Sequence, residues 1–225
     1  MNILVIAAHP DDEVLGCGGT LQKLSKDKNS QIFITFAANG VSGRKDHTSR
    51  EINQRKVASL KVAKTLGAKI INRTNTNYSF PFKDQNLDKA DFNKVARWAE
   101  AIIKRYHPEV IYTHSAIDLN RDHRLVSEAV IVATRPNSTS VKELYFFEIP
   151  ESTGEGSNLQ LGHFKPNVYE KIRKEEKIAL FDLYHTEKNR SDKWERGIIA
   201  LGLYRGFNSG YDFAEAFMLV RERRD

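Results

Sequence analysis

Apolar residues recur along this chain in two rhythms. Unbroken runs of strand length occupy Asn2–Ala8, Gln31–Ala37 and Glu109–His114, the pattern of strands buried on both faces. Between them the apolar positions fall three and four apart. One helix is expected behind Gly18-Gly19. A second follows Ser49 through Ile52, Leu60, Ala63 and Leu66 to a stop at Gly67. A third covers Asp88–Tyr106 and ends at His107-Pro108, and a fourth covers Asp122–Ala133. Lys69–Asn72 fits a short strand, and Tyr78–Leu87 a loop around Pro81. Alternation of strand and helix predicts an α/β fold with a mostly parallel sheet and helices on both faces.

Beyond residue 140 the pattern loosens. Leu144–Ile149 and Ala214–Val220 are expected strands, and Lys171–Tyr184 and Ser191–Tyr204 expected helices. The glycine-bearing loops Glu151–Pro166 and Arg205–Asp212 have the composition of pocket-forming segments. At 225 residues the chain suits a single domain over 1–225, with an irregular, loop-rich portion from about 150 to 225. The apolar run Ile3–Ala8 is far short of the roughly 20 residues that span a bilayer. It also lacks a basic leader, so the expectation is a cytoplasmic protein without a membrane segment. The single Cys17 excludes a disulfide framework and all-thiolate metal sites.

Charge adds one local feature. Arg44 to Arg73 holds nine basic residues against two acidic ones, an excess larger than the whole chain's +6. No nucleic-acid motif or interleaved aromatic accompanies it, so nucleic acid is not expected as a partner. At helical spacing these cations are most simply a solvated face. A weaker functional role is attraction of an anionic, phosphorylated substrate.

Two segments carry candidate chemistry. Ala8-His9-Pro10-Asp11-Asp12-Glu13 follows the first strand, and His114-x-x-x-Asp118-x-Asn120-x-Asp122-His123 follows the strand at 109–114. In an open parallel sheet, ligands bind beyond the carboxyl ends of the strands, where both segments fall. Two histidines and one carboxylate suit a zinc ion with a position left open. His9 and His123 supply the imidazoles and one of Asp11 and Asp12 the carboxylate, leaving the other as a general base. Alone, each segment is better explained as a polar strand end or a helix N-cap cluster. Together they favour a metal. A nucleotide site at Gly16-Cys17-Gly18-Gly19 is disfavoured, because the glycine spacing is wrong and three acids in the turn would repel a diphosphate.

These residues resemble the LmbE/PIG-L family of zinc-dependent N-acetylglucosaminyl deacetylases. Weaker similarity continues at Asn39-Gly40 with Arg44, through Phe146–Thr153, and at Arg205-Gly206 and Ala214–Phe217. The resemblance implies a Rossmann-like fold and hydrolysis of the acetamido group of an amino-sugar conjugate. By position, His9, Asp12 and His123 would hold Zn2+, with another divalent ion such as Fe2+ as the alternative. Asp11 would be the general base, and Arg44 would lie near the sugar. Several members carry a histidine where this chain has Asn120. An amide cannot exchange protons, so Asn120 is expected as a polar substrate contact and Asp11 as the proton shuttle in both directions. His114, also expected to face substrate, and His185 are the histidines left to serve as an acid. Asp118 and Asp122 either orient a ligand histidine or cap the following helix. Trp98 and Trp194 suit the core, and Tyr204, Phe207 and Tyr211 either packing or a sugar pocket. Other outcomes are a zinc amidase for a different acyl group and a basic binding protein with a vestigial metal site. Self-association into a homo-oligomer is compatible with all of them.

Overall fold

The computed structural model describes residues 1–72, 77–136, 139–159, 162–185 and 193–224. Seven strands form one sheet: β1 (Asn2–Ala7), β2 (Gln31–Phe36), β3 (Lys69–Ile70), β4 (Val110–His114), β5 (Glu143–Phe147), β6 (Val168–Lys171) and β7 (Ala214–Glu222). Their order is β3-β2-β1-β4-β5-β7-β6. The pairs from β3 through β5 are parallel, and β7 runs antiparallel to both β5 and β6. Among the described residues six helices cover the sheet: α1 (Asp12–Leu24), α2 (Ser49–Thr65), α3 (Phe92–Tyr106), α4 (Arg121–Ala133), α5 (Lys174–Phe181) and α6 (Lys193–Ser209). No helix among the described residues is long and apolar enough to cross a membrane.

Successive side chains of a strand point to opposite faces, and β1 is apolar on both. Ile3, Val5 and Ala7 join one core with residues of α1, α2, α5 and α6. Leu4, Ile6 and Ala8 join a second with α3 and α4. The expected two-faced α/β architecture is therefore present. Chain order reverses between β1 and β4, which opens a crevice at their carboxyl ends.

Several local expectations are corrected. The first helix begins at Asp12 rather than behind Gly18-Gly19, and the glycines lie inside it. Gly16 is pressed against the ring of Phe147, where a side chain would collide. The helix kinks at Cys17, whose φ of −143° is non-helical. The freed amides of Gly19 and Thr20 donate to the Glu215 carboxylate of β7 at 2.9 and 2.7 Å. Lys177 of α5 donates to the Leu15 carbonyl at 2.8 Å and to Glu215 at 2.5 Å. Side chains from two other elements thus repair the break. The expected helix Lys171–Tyr184 gives its first residue to β6, and α5 begins at Lys174. Arg205–Asp212 is mostly helix, since α6 runs to Ser209 and Gly206 lets it pass against the backbone of Tyr211 and Asp212. Ser191, at the start of the expected last helix, lies outside the described residues.

Candidate metal centre

The turn after β1 folds on its own side chains. The His9 amide donates to Asp12 Oδ2 at 2.8 Å. Asp11 sits at φ 124°, a region that costs a non-glycine residue about 1–3 kcal/mol. Its amide donates to Glu13 Oε2 at 2.9 Å, and its carboxylate pairs with Arg55 at 2.5 Å. Tyr184 donates its hydroxyl to Glu13 Oε1 at 2.5 Å, and burial pushes the Glu13 carboxyl up to about 8. Gly40, at φ 69°, passes so close to His9 that an added Cβ would meet the histidine Cβ at 2.8 Å.

The segment after β4 supplies the other half. The Ala8 amide donates to His114 Nε2 at 2.9 Å, which pins the turn to β4. Burial and the neighbouring positive His123 push the His114 imidazole down to about 4, so it is neutral. Asp118 accepts from the Asn120 amide at 2.8 Å and from the hydroxyls of Ser152 and Thr153 at 3.0 and 2.6 Å. Its other role is to face His123 Nδ1 at 3.2 Å. Asp122 Oδ2 accepts from the Gln85 amide at 2.8 Å and faces His9 Nε2 at 3.3 Å. Asp84 faces the same nitrogen at 3.0 Å and accepts from the Gly43 amide at 2.7 Å.

One ligand atom each from His9, Asp12 and His123 lies within 4.8 Å of the other two. His9 Nδ1 and His123 Nε2 each stand 3.5 Å from Asp12 Oδ2. Each imidazole therefore turns one nitrogen toward Asp12 and the other toward a buried carboxylate. That second carboxylate fixes the tautomer that leaves a lone pair for a metal. His9, Asp84 and Asp122 form a second close triplet around the opposite nitrogen of the His9 ring.

Electrostatics agrees with a cation. Asp11, Asp12, Asp84, Asp118 and Asp122 are all buried, against one buried guanidinium among the described residues, that of Arg55, while Glu13 is kept protonated near neutral pH. Burial would raise the Asp12 carboxyl, but the positive His123 and the hydrogen bonds of His114 and His9 hold it well below the usual range. Burial would likewise depress His9 and His123. Hydrogen bonding to Asp12, Asp122 and Asp84 instead raises His9, and the charge of Asp12 with the bond to Asp118 raises His123. A pocket that draws protons this strongly has the donor set and the charge of a divalent-cation site.

A cavity of about 300 Å³ opens over these residues. Arg44 and Asn120 line it beside His9, Asp11, Asp12 and His123. The Asn120 Oδ1 accepts from the Asp122 amide at 3.0 Å and so caps α4, which leaves its Nδ2 hydrogens as the group it can offer. His114 is the correction here, because it is fully buried and off the cavity wall, braced against β1 instead of facing substrate. Asp118 and Asp122 also stand behind the wall. His185 lies in a separate groove beside α2, and Tyr204, Phe207 and Tyr211 are exposed on another surface. Arg55 overturns part of the solvated face, being 1% exposed. Asp84, Gln85, Glu151, Ser152 and Trp194 also line the cavity, and the sequence singled out none of them as site residues. For Glu151 and Ser152 the signal was the pocket-forming composition of the loop Glu151–Pro166, and for Asp84 and Gln85 the run of polar residues after Pro81.

Comparison with known proteins extends this picture. The family model described as GlcNAc-PI de-N-acetylase, PIG-L, matches residues 4–134. The uncharacterized deacetylase YaiS of Escherichia coli K12 is 27% identical over 173 residues, covering 77% of this chain and 83% of that protein. The N,N'-diacetylchitobiose deacetylase of Pyrococcus horikoshii, solved with an inhibitor, superposes with a TM-score of 0.77 at 20% identity, over 97% of this chain and 83% of that one. The 4-carboxy-2-hydroxymuconate hydratase GalB of Pseudomonas putida KT2440 superposes at 0.67 and 19% identity, over 100% and 98%. At such identities the solved structures share the fold, and by their names that fold serves both a deacetylase and a hydratase.

Proposed function

We propose, because this chain belongs to the PIG-L family, that it is a zinc-dependent N-deacetylase acting on an N-acetylglucosamine-type amino-sugar conjugate. The observation that carries this is the joint placement of His9, Asp12 and His123 with a further carboxylate, Asp11, on the same cavity wall. His9, Asp12 and His123 would hold the ion. When bound, zinc supplies positive charge that polarises an amide carbonyl and makes water more acidic.

The chain's own residues do the rest. Asp11 accepts a proton as water adds to the acetyl carbon, and returns it to nitrogen as the C–N bond breaks, giving acetate and a free amine. The Nδ2 group of Asn120 donates to the oxygen that gains negative charge. At about 300 Å³ the cavity is at the small end of ligand sites, a size for one sugar ring with the remainder of the conjugate outside. Arg44 on its wall is the group that would meet an anionic conjugate.

The test is zinc stoichiometry in the purified protein together with acetate release from a panel of N-acetylglucosamine conjugates, with Asp11→Ala as control. About one ion per chain and release abolished in the control are expected. Release of a different acid from other N-acyl amides would make it an amidase of another specificity. Water addition to an unsaturated acid would make it a hydratase. A protein that takes up no zinc overturns the proposal in favour of a binding function.

A further inference from the structure

Arg55 sits on α2, a helix whose start is fixed by a capping box in which the Thr48 side chain accepts from the Glu51 amide. It heads the fully buried side chains ranked by size, at 1% exposure, in a segment otherwise rich in solvated cations. Burying an arginine is costly unless its charge and its hydrogens are matched. Here one terminal nitrogen, Nη1, reaches both Asp11 Oδ2 and the Pro10 carbonyl, each at 2.5 Å. The guanidinium carbon lies 5.9 Å from the centre of the Tyr184 ring. Tyr184 holds Glu13 by its hydroxyl, and Glu13 holds the amide of Asp11. The contacts close on themselves, from carboxylate to arginine to tyrosine to glutamate and back to the amide of the same aspartate. Asp11 needs such a frame, since its φ of 124° is a conformation that local sterics oppose.

We propose that Arg55 is a positioning residue for the reaction: by holding Asp11 Oδ2 and the Pro10 carbonyl it fixes the Asp11 carboxylate at the cavity wall. This rests on the deacetylase function proposed above. The metal ligands are held by other groups, Asp118 behind His123 and Asp84 with Asp122 behind His9. Loss of Arg55 should therefore uncouple ion binding from turnover.

The experiment uses the zinc-loaded protein with Arg55→Ala, Arg55→Lys, Asp11→Ala and the double variant Asp11→Ala/Arg55→Ala. Arg55→Ala is expected to keep its zinc and its KM while kcat falls about 100-fold, the scale of a misplaced reacting group. Arg55→Lys should recover part of the rate. Added guanidinium ion should restore Arg55→Ala, and should do nothing for Asp11→Ala. In the Asp11→Ala background the second substitution should cost nothing further. Unchanged kcat in Arg55→Ala, zinc lost together with activity, or equal additive losses in the double variant would each overturn the proposal. Should Arg55→Ala not fold, Arg55→Lys carries the same comparison. Should the parent release no acetate from any conjugate, the deacetylase function fails separately. Zinc-loaded crystal structures of the parent and Arg55→Lys then decide: a displaced Asp11 carboxylate beside unmoved His9, Asp12 and His123 supports the role, and an unmoved one overturns it.

Discussion

Asp118→Asn isolates what a buried carboxylate does for a histidine it never lets go. Asp118 takes the Asn120 amide on one oxygen, which also faces His123 Nδ1 at 3.2 Å, and the hydroxyls of Ser152 and Thr153 on the other. Asparagine keeps the shape, and both hydroxyls can turn to accept from its amide. The fold should survive, and the charge alone is lost. A hydrogen bond to a charged group contributes about 1.5–3 kcal/mol and a neutral one about 0.5–1.5, so the change at His123 is about 1–1.5 kcal/mol. That corresponds to roughly a tenfold loss of zinc affinity, within the range of about 10–100-fold for residues behind a ligand histidine. The assay is competition with a chromophoric chelator, with thermal unfolding of the metal-free protein as the fold control. Asp118→Ala should behave differently, stripping several buried donors of their acceptor and costing about 3 kcal/mol or more in stability. Zinc affinity in Asp118→Asn within twofold of the parent would show that the charge on Asp118 is not felt at His123.

Chelation should lower the melting temperature: zinc held at a hundred times its Kd stabilises by about 2.7 kcal/mol, which is about 5–11 °C for a chain of this size. Scanning calorimetry with and without chelator checks this, and restored zinc should restore the midpoint. Lys177→Met leaves Glu215 buried without its cation but still bonded to the amides of Gly19 and Thr20, so urea unfolding should show a loss of about 3 kcal/mol, the lower end for a broken buried pair. Asn120→His should leave kcat nearly unchanged, because Asp11 already carries the proton in both directions, at a cost of about 1 kcal/mol in stability for the lost helix cap. A much-increased steady-state rate would mean that the acid role is vacant in the parent.

The sheet was legible because β1, β2 and β4 are apolar on both faces, a pattern with few alternatives. The metal-site candidates were legible because His9, the pair Asp11 and Asp12, and His123 follow two such strands, and the family resemblance chose Asp12 within the pair. Arg55 was not, since a charge at helical spacing looks the same facing water or facing Asp11, and only the tertiary partner tells them apart. Asp84 was missed because a loop has no period to betray which residue turns inward. Gly18-Gly19 and Gly206 suggested breaks where they permit close packing. β6 depends on pairing with β7, far along the chain, and has too few residues to announce itself.

The mended break in α1 has a consequence in time. Its helix bears Asp12, yet the carboxylate that satisfies Gly19 and Thr20 belongs to a residue 196 and 195 positions later. While the chain is emerging from a ribosome, every proposed ligand from His9 to His123 is outside before residues 177 and 215 have been translated. A nascent chain at that stage possesses the side chains to seize an ion but not the frame that spaces them. A rigid centre would therefore await the antiparallel strand β7, whose Glu215 lies 196 positions after the Gly19 amide that it satisfies.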